Sequence, residues 1–273
     1  MLDSPESALV TLDAADASVV RLLQLTDLHI LAEAADCLRG MNTRASFEAV
    51  CRAALGDRPQ PDLLLATGDL SQDGSAASYR YLAARFADLG LPVFWLPGNH
   101  DDTDLMREHL RAKQISAAKQ IVIGGWLIVL LDSTVAGETG GEVSQPQLDF
   151  LDAALAGHAQ LHALVCLHHQ PLPMGSEWID ALGLRNAEAL NRRIAAHDNV
   201  RGVLWGHVHQ QAHHRLQDIE WMATPSTCMQ FKPGSKDFAL DDLAPGYRRL
   251  ELYADGRIDS GVQRVEGFEF DIG

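Results

Sequence analysis

The sequence predicts an α/β domain in which two mixed β-sheets pack together with helices outside. Two observations carry this prediction. Apolar runs of β character alternate with helical patterns through most of the chain, and the last part is mostly β. Short groups of Asp, Asn and His directly follow several of the apolar runs, and functional residues of such folds lie in loops at strand ends.

Each strand is read from an apolar run that ends at a polar or glycine-containing segment. Five such runs are Val19–Thr26, Asp62–Thr67, Pro92–Leu96, Leu161–Leu167 and Val200–Trp205. A hairpin joins Ile121–Ile123 to Trp126–Leu131. The later β segments are Ala212–Gln217, Glu220–Thr224, and Tyr247–Tyr253 paired to Arg257–Arg264 across Asp255-Gly256.

Four helices are predicted from apolar residues at helical spacing and from signals at helix ends. They are a helix that starts at Asn42 or Thr43 and ends at Gly56, Ala76–Leu89, a helix from Ser144 to Gly157, and Ala187–His197. Ser144 and Gln147 are spaced as a capping box for the third helix. We expect residues 1–18 to be a loose lead-in and residues 19–273 to form a single domain.

Composition limits the classes of function. The 273 residues carry a net charge of −15, which argues against general binding to nucleic-acid backbone. A small anionic substrate is still compatible, because bound cations reverse the local field. No apolar run is long enough to span a bilayer, and residues 1–18 lack the basic start of a signal peptide. The four cysteines lack metal-type spacing and are expected to be reduced core thiols, so we expect a cytoplasmic protein. Nothing in the pattern indicates an oligomeric state.

Five short motifs together predict a two-metal site. They are Asp27-Leu28-His29, Gly68-Asp69, Gly98-Asn99-His100-Asp101, His168-His169 and Gly206-His207-Val208-His209. Taken singly, each motif has an ordinary interpretation as a turn or capping segment. Their combination of carboxylates, imidazoles and one amide oxygen suits a pair of divalent or trivalent ions.

The spacing within the motifs suggests individual roles. Residues two apart on an extended segment project to one side, so Asp27 and His29 are expected to reach one metal. A carboxylate such as Asp69 can bridge two cations about 3.5–4 Å apart. Asn99 offers a neutral oxygen ligand. His168 is preferred over His169 as a ligand, because adjacent side chains diverge on an extended chain.

The residues after Asn99 are predicted to act on the substrate. His100 does not easily share the metal of Asn99 and is expected to face substrate, with Asp101 orienting it and holding its proton. Two divalent ions, two carboxylates and one hydroxide leave a charge of about +1. That charge suits a phosphodiester, although a phosphomonoester stays open. Elsewhere, Arg248 and Arg249 are expected to be in solvent.

This order of motifs resembles the calcineurin-like metallophosphoesterase superfamily, and nearly the whole chain is similar to bacterial class III cyclic-AMP phosphodiesterases. Gln170 departs from that pattern, which has a third consecutive histidine there. The segments that carry the similarity are Gln24–Asp27, Gly40–Thr43, Ala66–Asp73, Trp95–Asp101, Ala223–Pro233 and Ala244–Arg248.

The resemblance implies a four-layer α/β/β/α sandwich and two metal ions, iron and/or manganese. It implies one ion held by Asp27, His29, Asp69 and His209, and another held by Asp69, Asn99, His168 and His207. His29, Asp69, Asn99, His100 and His209 would surround the substrate phosphate.

The reaction that the resemblance implies is hydrolysis of 3',5'-cyclic AMP to 5'-AMP by a metal-activated hydroxide, which lowers intracellular cyclic AMP. His100 would protonate the departing 3'-oxygen. Two alternatives stay open: a broader phosphodiesterase or phosphomonoesterase acting on glycerophosphodiesters or other nucleotides, and a non-catalytic scaffold.

Overall fold

A computed structural model describes residues 8–56 and 59–268 of the chain. Its strands, in chain order, are β1 (Leu9–Leu12), β2 (Val19–Leu25), β3 (Leu63–Thr67), β4 (Val93–Leu96), β5 (Ile115–Ser116), β6 (Gln120–Ile123), β7 (Trp126–Leu130), β8 (His162–Cys166), β9 (Val200–Trp205), β10 (Ala212–Leu216), β11 (Ile219–Ala223), β12 (Gln230–Phe231), β13 (Leu240–Asp241), β14 (Gly246–Tyr253) and β15 (Ile258–Arg264). Its helices are α1 (Thr43–Gly56), α2 (Ala76–Leu89), α3 (Thr103–His109), α4 (Gln145–Gly157), α5 (Glu177–Asp180) and α6 (Ala187–Ala195).

The strands form two large mixed sheets and one short hairpin. The seven-stranded sheet has the spatial order β1-β6-β7-β8-β9-β11-β10, and the six-stranded sheet has the order β15-β14-β2-β3-β4-β5. Strands β2, β3 and β4 run parallel, as do β8 and β9. Strands β12 and β13 pair with each other as a separate two-stranded sheet. Parallel neighbours place their carboxyl ends at one edge of each sheet, where α/β folds bind ligands.

Side chains point alternately to the two faces of each strand, and this builds the layers. Leu22 of β2 points into the cluster between the two sheets, together with Leu164 and Leu204 of the other sheet. Leu23 points to the opposite face, where it packs with residues of α1 and α2. Helices α4 and α6 cover the outer face of the seven-stranded sheet. This arrangement confirms the predicted four-layer α/β/β/α sandwich, and burial on both faces explains the almost continuously apolar strands.

The beginning of the described chain differs from the expected lead-in over residues 1–18. Leu9–Leu12 forms a strand that pairs in parallel with Gln120–Ile123 at the edge of the seven-stranded sheet. Val10 is buried between the two sheets. A four-residue strand is too short to show a convincing period in sequence, so tertiary pairing decides its structure.

Three side chains also differ from expectation. Helix α4 begins after Ser144, but that hydroxyl forms no capping bond, and the amide oxygen of Gln147 instead accepts from the backbone N–H of Asp132. Arg248 was expected in solvent but is only 1% exposed. Its guanidinium donates to the carbonyl oxygen of Ala223, at 2.7 Å, and so connects β14 with β11 of the other sheet.

Candidate active site

The predicted motifs meet at one edge of the sandwich, between the carboxyl ends of strands from both sheets. Strands β2, β3 and β4 precede Asp27, Asp69 and Asn99, and strands β8 and β9 precede His168 and His207. Across the gap between the sheets, the Nε2 atom of His168 lies 3.4 Å from Asp69 Oδ2 and 3.9 Å from Asp27 Oδ1.

The backbone at this edge is left-handed at five of the seven predicted metal ligands. Asp27, His29, Asp69, His207 and His209 have φ values between 46° and 66°. The extended geometry expected for Asp27 and His29 is therefore wrong, although both side chains still reach the same site. Left-handed backbone is strained for residues with a Cβ atom and is often found at functional sites.

Two glycines allow the motifs to approach one another closely. A Cβ atom at Gly206 would meet Thr26 Oγ1 and the carboxylate of Asp27, and one at Gly98 would meet the carboxylate of Asp69. Because neither carboxylate can move without leaving the site, a side chain at either glycine would displace a predicted ligand.

One half of the site contains buried ligand atoms that the protein leaves without partners. Asn99 Oδ1, His168 Nε2 and His207 Nε2 are all buried, and none has a hydrogen-bond partner within the described residues. Ligand atoms of Asp69, His168 and His207 lie within 4.8 Å of one another. Buried polar atoms without partners cost free energy, and a cation bound among Asp69, His168 and His207 would satisfy both imidazole atoms. The donor set therefore fits a metal ion.

The other half of the site is centred on two imidazoles. His29 Nε2 lies 3.1 Å from His209 Nε2, which in turn lies 3.4 Å from Asp27 Oδ1. Asp69 Oδ2 lies 3.7 Å from His29 Nε2 as well as 3.4 Å from His168 Nε2. A single carboxylate oxygen of Asp69 thus faces both halves, which is the geometry expected of a bridging ligand.

Hydrogen bonds on the far side of each ring orient three of the imidazoles. The Nδ1 atoms of His29, His168 and His209 lie 2.7–2.9 Å from Gln72 Oε1, Thr67 O and Met229 O. These acceptors fix a proton on Nδ1 and turn the Nε2 atom towards the site. Such outer contacts are typical of histidines that bind metals.

Burial and charge move the pKa values of these residues in opposite directions. Burial disfavours the charged ring of His168, but the carboxylates of Asp69 and Asp27 outweigh it and raise the His168 pKa to about 9. Burial lowers the pKa of His29 to about 4. Although burial opposes its charge, Asp69 has a pKa held well below the usual range by His168 and His29. The carboxylates are thus kept ionised and ready to bind cations.

His100 lies at the mouth of the site and is exposed. Its backbone N–H donates to Asp69 Oδ1 at 2.9 Å, and its ring packs edge-on against His29 with centroids 5.0 Å apart. Its Nδ1 atom lies 3.2 Å from the backbone oxygen of Gln72. That contact turns the Nε2 edge of the ring away from the loop, where a substrate can be contacted.

The role expected for Asp101 requires correction. Its carboxylate accepts hydrogen bonds from the hydroxyl of Tyr79 and from backbone N–H groups, rather than from His100. The backbone donors are Leu70, Ser71 and Gly98. Asp101 therefore ties together the loops after β3 and β4, because backbone donors of the two loops converge on it.

Two contacts near the site were not anticipated from the sequence. Gln72 touches both His29 and His100 through its side chain, at 2.7 Å and 3.3 Å. Cys228 is a buried thiol, as expected, but its Sγ atom lies within 4.8 Å of ligand atoms of His29 and His209. Both residues lie in segments that resemble the cyclic-AMP phosphodiesterases, and this resemblance was the one sequence feature that could have indicated their place near the site.

The neighbours of the predicted ligand histidines are packed rather than open. His169 Nδ1 lies 2.9 Å from Ser133 Oγ, and its ring centroid is 4.6 Å from that of His207. Burial lowers the pKa of His169 to about 3. Gln170, at the position of an expected third histidine, donates to the backbone oxygen of Ile179 at 2.7 Å. These residues thus form a packed layer behind the predicted ligand histidines.

Comparison with known proteins agrees with this geometry. The family model described as calcineurin-like phosphoesterase matches residues 20–211, and the chain belongs to this family of metallophosphoesterases. Within it, the chain is 44% identical to the 3',5'-cyclic adenosine monophosphate phosphodiesterase CpdA of Pseudomonas aeruginosa, over 95% of this chain and 94% of that protein. It is also 44% identical to CpdA of Escherichia coli K12, over 96% of each chain. A 3',5'-cyclic-nucleotide phosphodiesterase of Nostoc is 39% identical, over 90% of this chain and 92% of that protein.

Solved structures share the fold at low sequence identity. A dimetal phosphatase from Danio rerio has a TM-score of 0.64 at 16% identity, covering 91% of this chain and all of that one. The anchor protein of the Plasmodium inner membrane complex has a TM-score of 0.62 at 12% identity, covering 93% of this chain and 87% of that one. One fold thus carries different functions, so activity has to be argued from the site. Among the described residues, no helix has both the length and the apolar character needed to cross a membrane.

Proposed function

We propose that this protein hydrolyses 3',5'-cyclic AMP to 5'-AMP at a dinuclear metal site and thereby lowers intracellular cyclic AMP. The observation that carries the proposal is the close group of ligand atoms of Asp69, His168 and His207, in which both imidazole Nε2 atoms are buried without a hydrogen-bond partner. Asn99 Oδ1 is a further buried atom without a partner. Relatives named as cyclic-AMP phosphodiesterases, 44% identical over almost the whole chain, support the choice of substrate. The cytoplasm is the proposed location, in keeping with four free thiols.

The proposed ligands divide between two ions. Asp27, His29, Asp69 and His209 would hold one, and Asp69, Asn99, His168 and His207 would hold the other. We propose iron and/or manganese, since mixed nitrogen and oxygen ligands accommodate both. When bound, the ions would lower the pKa of water so that hydroxide is available near neutral pH, and they would stabilise charge on the phosphoryl oxygens.

The protein's own residues position the substrate and move a proton. His29, Asp69, Asn99, His100 and His209 surround the place proposed for the phosphate. His100 carries a proton on Nε2 to the departing 3'-oxygen, so that the ring opens to a neutral hydroxyl. Gln72 orients the rings of His100 and His29 relative to each other through its contacts to both.

Hydrolysis of cyclic AMP by protein reconstituted with Fe²⁺ or Mn²⁺ tests the proposal. Cyclic GMP, 2',3'-cyclic AMP, an aryl phosphodiester and 5'-AMP are assayed alongside. We expect a strong preference for 3',5'-cyclic AMP, with 5'-AMP as product and loss of activity in chelator. Equal or faster turnover of the other esters would point to a broader phosphoesterase. No turnover of any ester with two ions bound would favour a scaffold.

A further inference from the structure

A group of aromatic rings beside His209 suggests where the base of the substrate binds. We propose that Trp178, Phe231 and Phe238, together called the aromatic platform, bind the adenine base by stacking. The inference rests on the proposed function, because it assumes a nucleotide held at the metal site. It goes beyond that function by naming the residues that distinguish a purine nucleotide from other phosphodiesters.

The aromatic platform is continuous with a predicted metal ligand. The rings of His209 and Phe231 are stacked, with centroids 4.0 Å apart and an interplanar angle of 8°. The backbone N–H of Phe231 also donates to the backbone oxygen of His209 at 3.3 Å. A ligand whose phosphate lies against His209 can therefore extend towards Phe231.

Beyond Phe231 the rings open towards solvent. Trp178 and Phe238 pack edge-on against Phe231, with centroids 5.0 Å and 5.5 Å away, and lie 5.2 Å from each other. Phe238 is 47% exposed, and it is the one aromatic side chain among the large exposed apolar residues of the described chain. An exposed aromatic ring beside a reaction site marks a binding surface, because burying it against a flat ligand is favourable.

One cationic side chain lies over the aromatic platform, in a chain whose net charge is −15. The guanidinium carbon of Arg39 lies 5.4 Å from the centre of the Phe238 ring. Lys232 and Lys236 lie in the connection between β12 and β13, which also carries Phe238. Cations beside an aromatic face favour an anionic nucleotide, and a guanidinium also stacks on nucleobases.

Two further segments of the chain support the aromatic platform. Met41, Cys228 and Met229 form a small buried cluster on which Phe231 and Leu240 pack. Met41 belongs to the segment Gly40–Thr43, and the other two belong to Ala223–Pro233. Both segments resemble the cyclic-AMP phosphodiesterases, and holding the aromatic platform gives them a physical role.

A second place for the base is the cavity on the other side of His100. This cavity has a volume of about 440 Å³ and is lined by Thr134, Val135 and Gly137 together with several aspartates. It has no aromatic ring other than His100 in its lining, and its acidic wall disfavours an anionic nucleotide. The aromatic platform is therefore the better site for a purine. The two sites are distinguished by which substitution raises the KM for cyclic AMP.

Steady-state kinetics of Phe238→Ala tests the inference, with two substrates of the metal-loaded enzyme. The substrates are cyclic AMP and the abasic 3',5'-cyclic ribose phosphate, which keeps the reacting diester but has no base. We expect the KM for cyclic AMP to rise about tenfold with kcat within about twofold, since stacking on an aromatic ring contributes at this level. The KM for the abasic diester should not change. Phe238→Tyr keeps the ring and should behave like wild type, and Leu216→Ala, equally exposed at 47% on the β10 edge, is the matched control.

Each contrary result has its own meaning. If wild type hydrolyses cyclic AMP and Phe238→Ala leaves its KM unchanged, the inference is wrong while the proposed function stands. A rise in KM for cyclic AMP in Val135→Ala but not in Phe238→Ala would place the base in the cavity instead. Equal rises for both substrates in Phe238→Ala would mean that the ring acts on the phosphate site through His209. If wild type prefers the abasic diester, both the inference and the proposed function fail.

Discussion

The two sheets meet at the same edge but supply different chemistry to it. The six-stranded sheet carries the proposed oxygen ligands and one imidazole: Asp27, Asp69, Asn99 and His29. The seven-stranded sheet carries only imidazoles: His168, His207 and His209. Negative charge therefore lies on one side of the gap, and neutral or protonated rings lie on the other. Neither sheet alone offers the proposed ligand set for either ion.

This difference explains how the site is held before and after metal binding. In the protein without metal, a proton on His168 balances the carboxylate of Asp69 across the gap, as the raised His168 pKa of about 9 indicates. A bound cation would take the place of that proton and link the two sheets. The site should thus contribute to stability as well as to catalysis.

The largest expected effect comes from removing the one carboxylate that faces both halves. Asp69→Ala should lose both ions and lower activity by roughly 10³-fold or more, since bound metals supply several kcal/mol of transition-state stabilisation. Metal analysis and cyclic AMP turnover measure the two effects. Asp149→Ala, an exposed carboxylate on α4, is the control. Two ions per chain retained in Asp69→Ala would show that the sheets are not linked through this residue.

Removal of the proposed proton donor should have the next largest effect. His100→Ala should reduce kcat roughly 10²–10⁴-fold, because general acid catalysis contributes at that level. Metal content should stay at the wild-type value, since no ligand of the proposed set is lost. Wild-type turnover by this variant would exclude His100 as the acid, and loss of metal would make it a ligand instead.

The comparison of the sheets also shows what the sequence could and could not predict. Asp27, Asp69 and His168 were predicted because each follows an apolar run, and parallel strands bring such positions together. The left-handed backbone at Asp27 and His209 was not predictable, since local preference disfavours it and only the assembled site enforces it. The four donors to Asp101 come from residues up to 31 positions away, so no local pattern reveals that role.

The proton that His168 shares with Asp69 across the two sheets should make both the stability and the metal affinity depend on pH. In metal-free protein the raised pKa of His168 means that its proton stabilises the fold below about pH 6.5, and this contribution is lost as the pH rises through about 9. Thermal unfolding in chelator should therefore show falling stability over that range. Because binding displaces this proton, the affinity for Mn²⁺ should rise by up to about tenfold per pH unit between about pH 6.5 and 8.5. Stability in chelator that rises over this range would contradict the assignment.

The smallest expected effects separate Asp101 from Gln72, which both lie in the loops beneath His100. Asp101→Asn should lower the free energy of unfolding by about 1–3 kcal/mol, because an amide presents one acceptor oxygen where several buried donors converge. The pH profile of kcat should be unaltered in this variant, since the carboxylate does not bond to His100.

Gln72→Ala should affect activity rather than stability. It should leave the free energy of unfolding nearly unchanged and lower kcat about tenfold, because His29 and His100 lose a hydrogen-bonding partner. Denaturant unfolding and kcat–pH profiles of both variants make the test. A shifted profile in Asp101→Asn would restore Asp101 as the residue that orients His100.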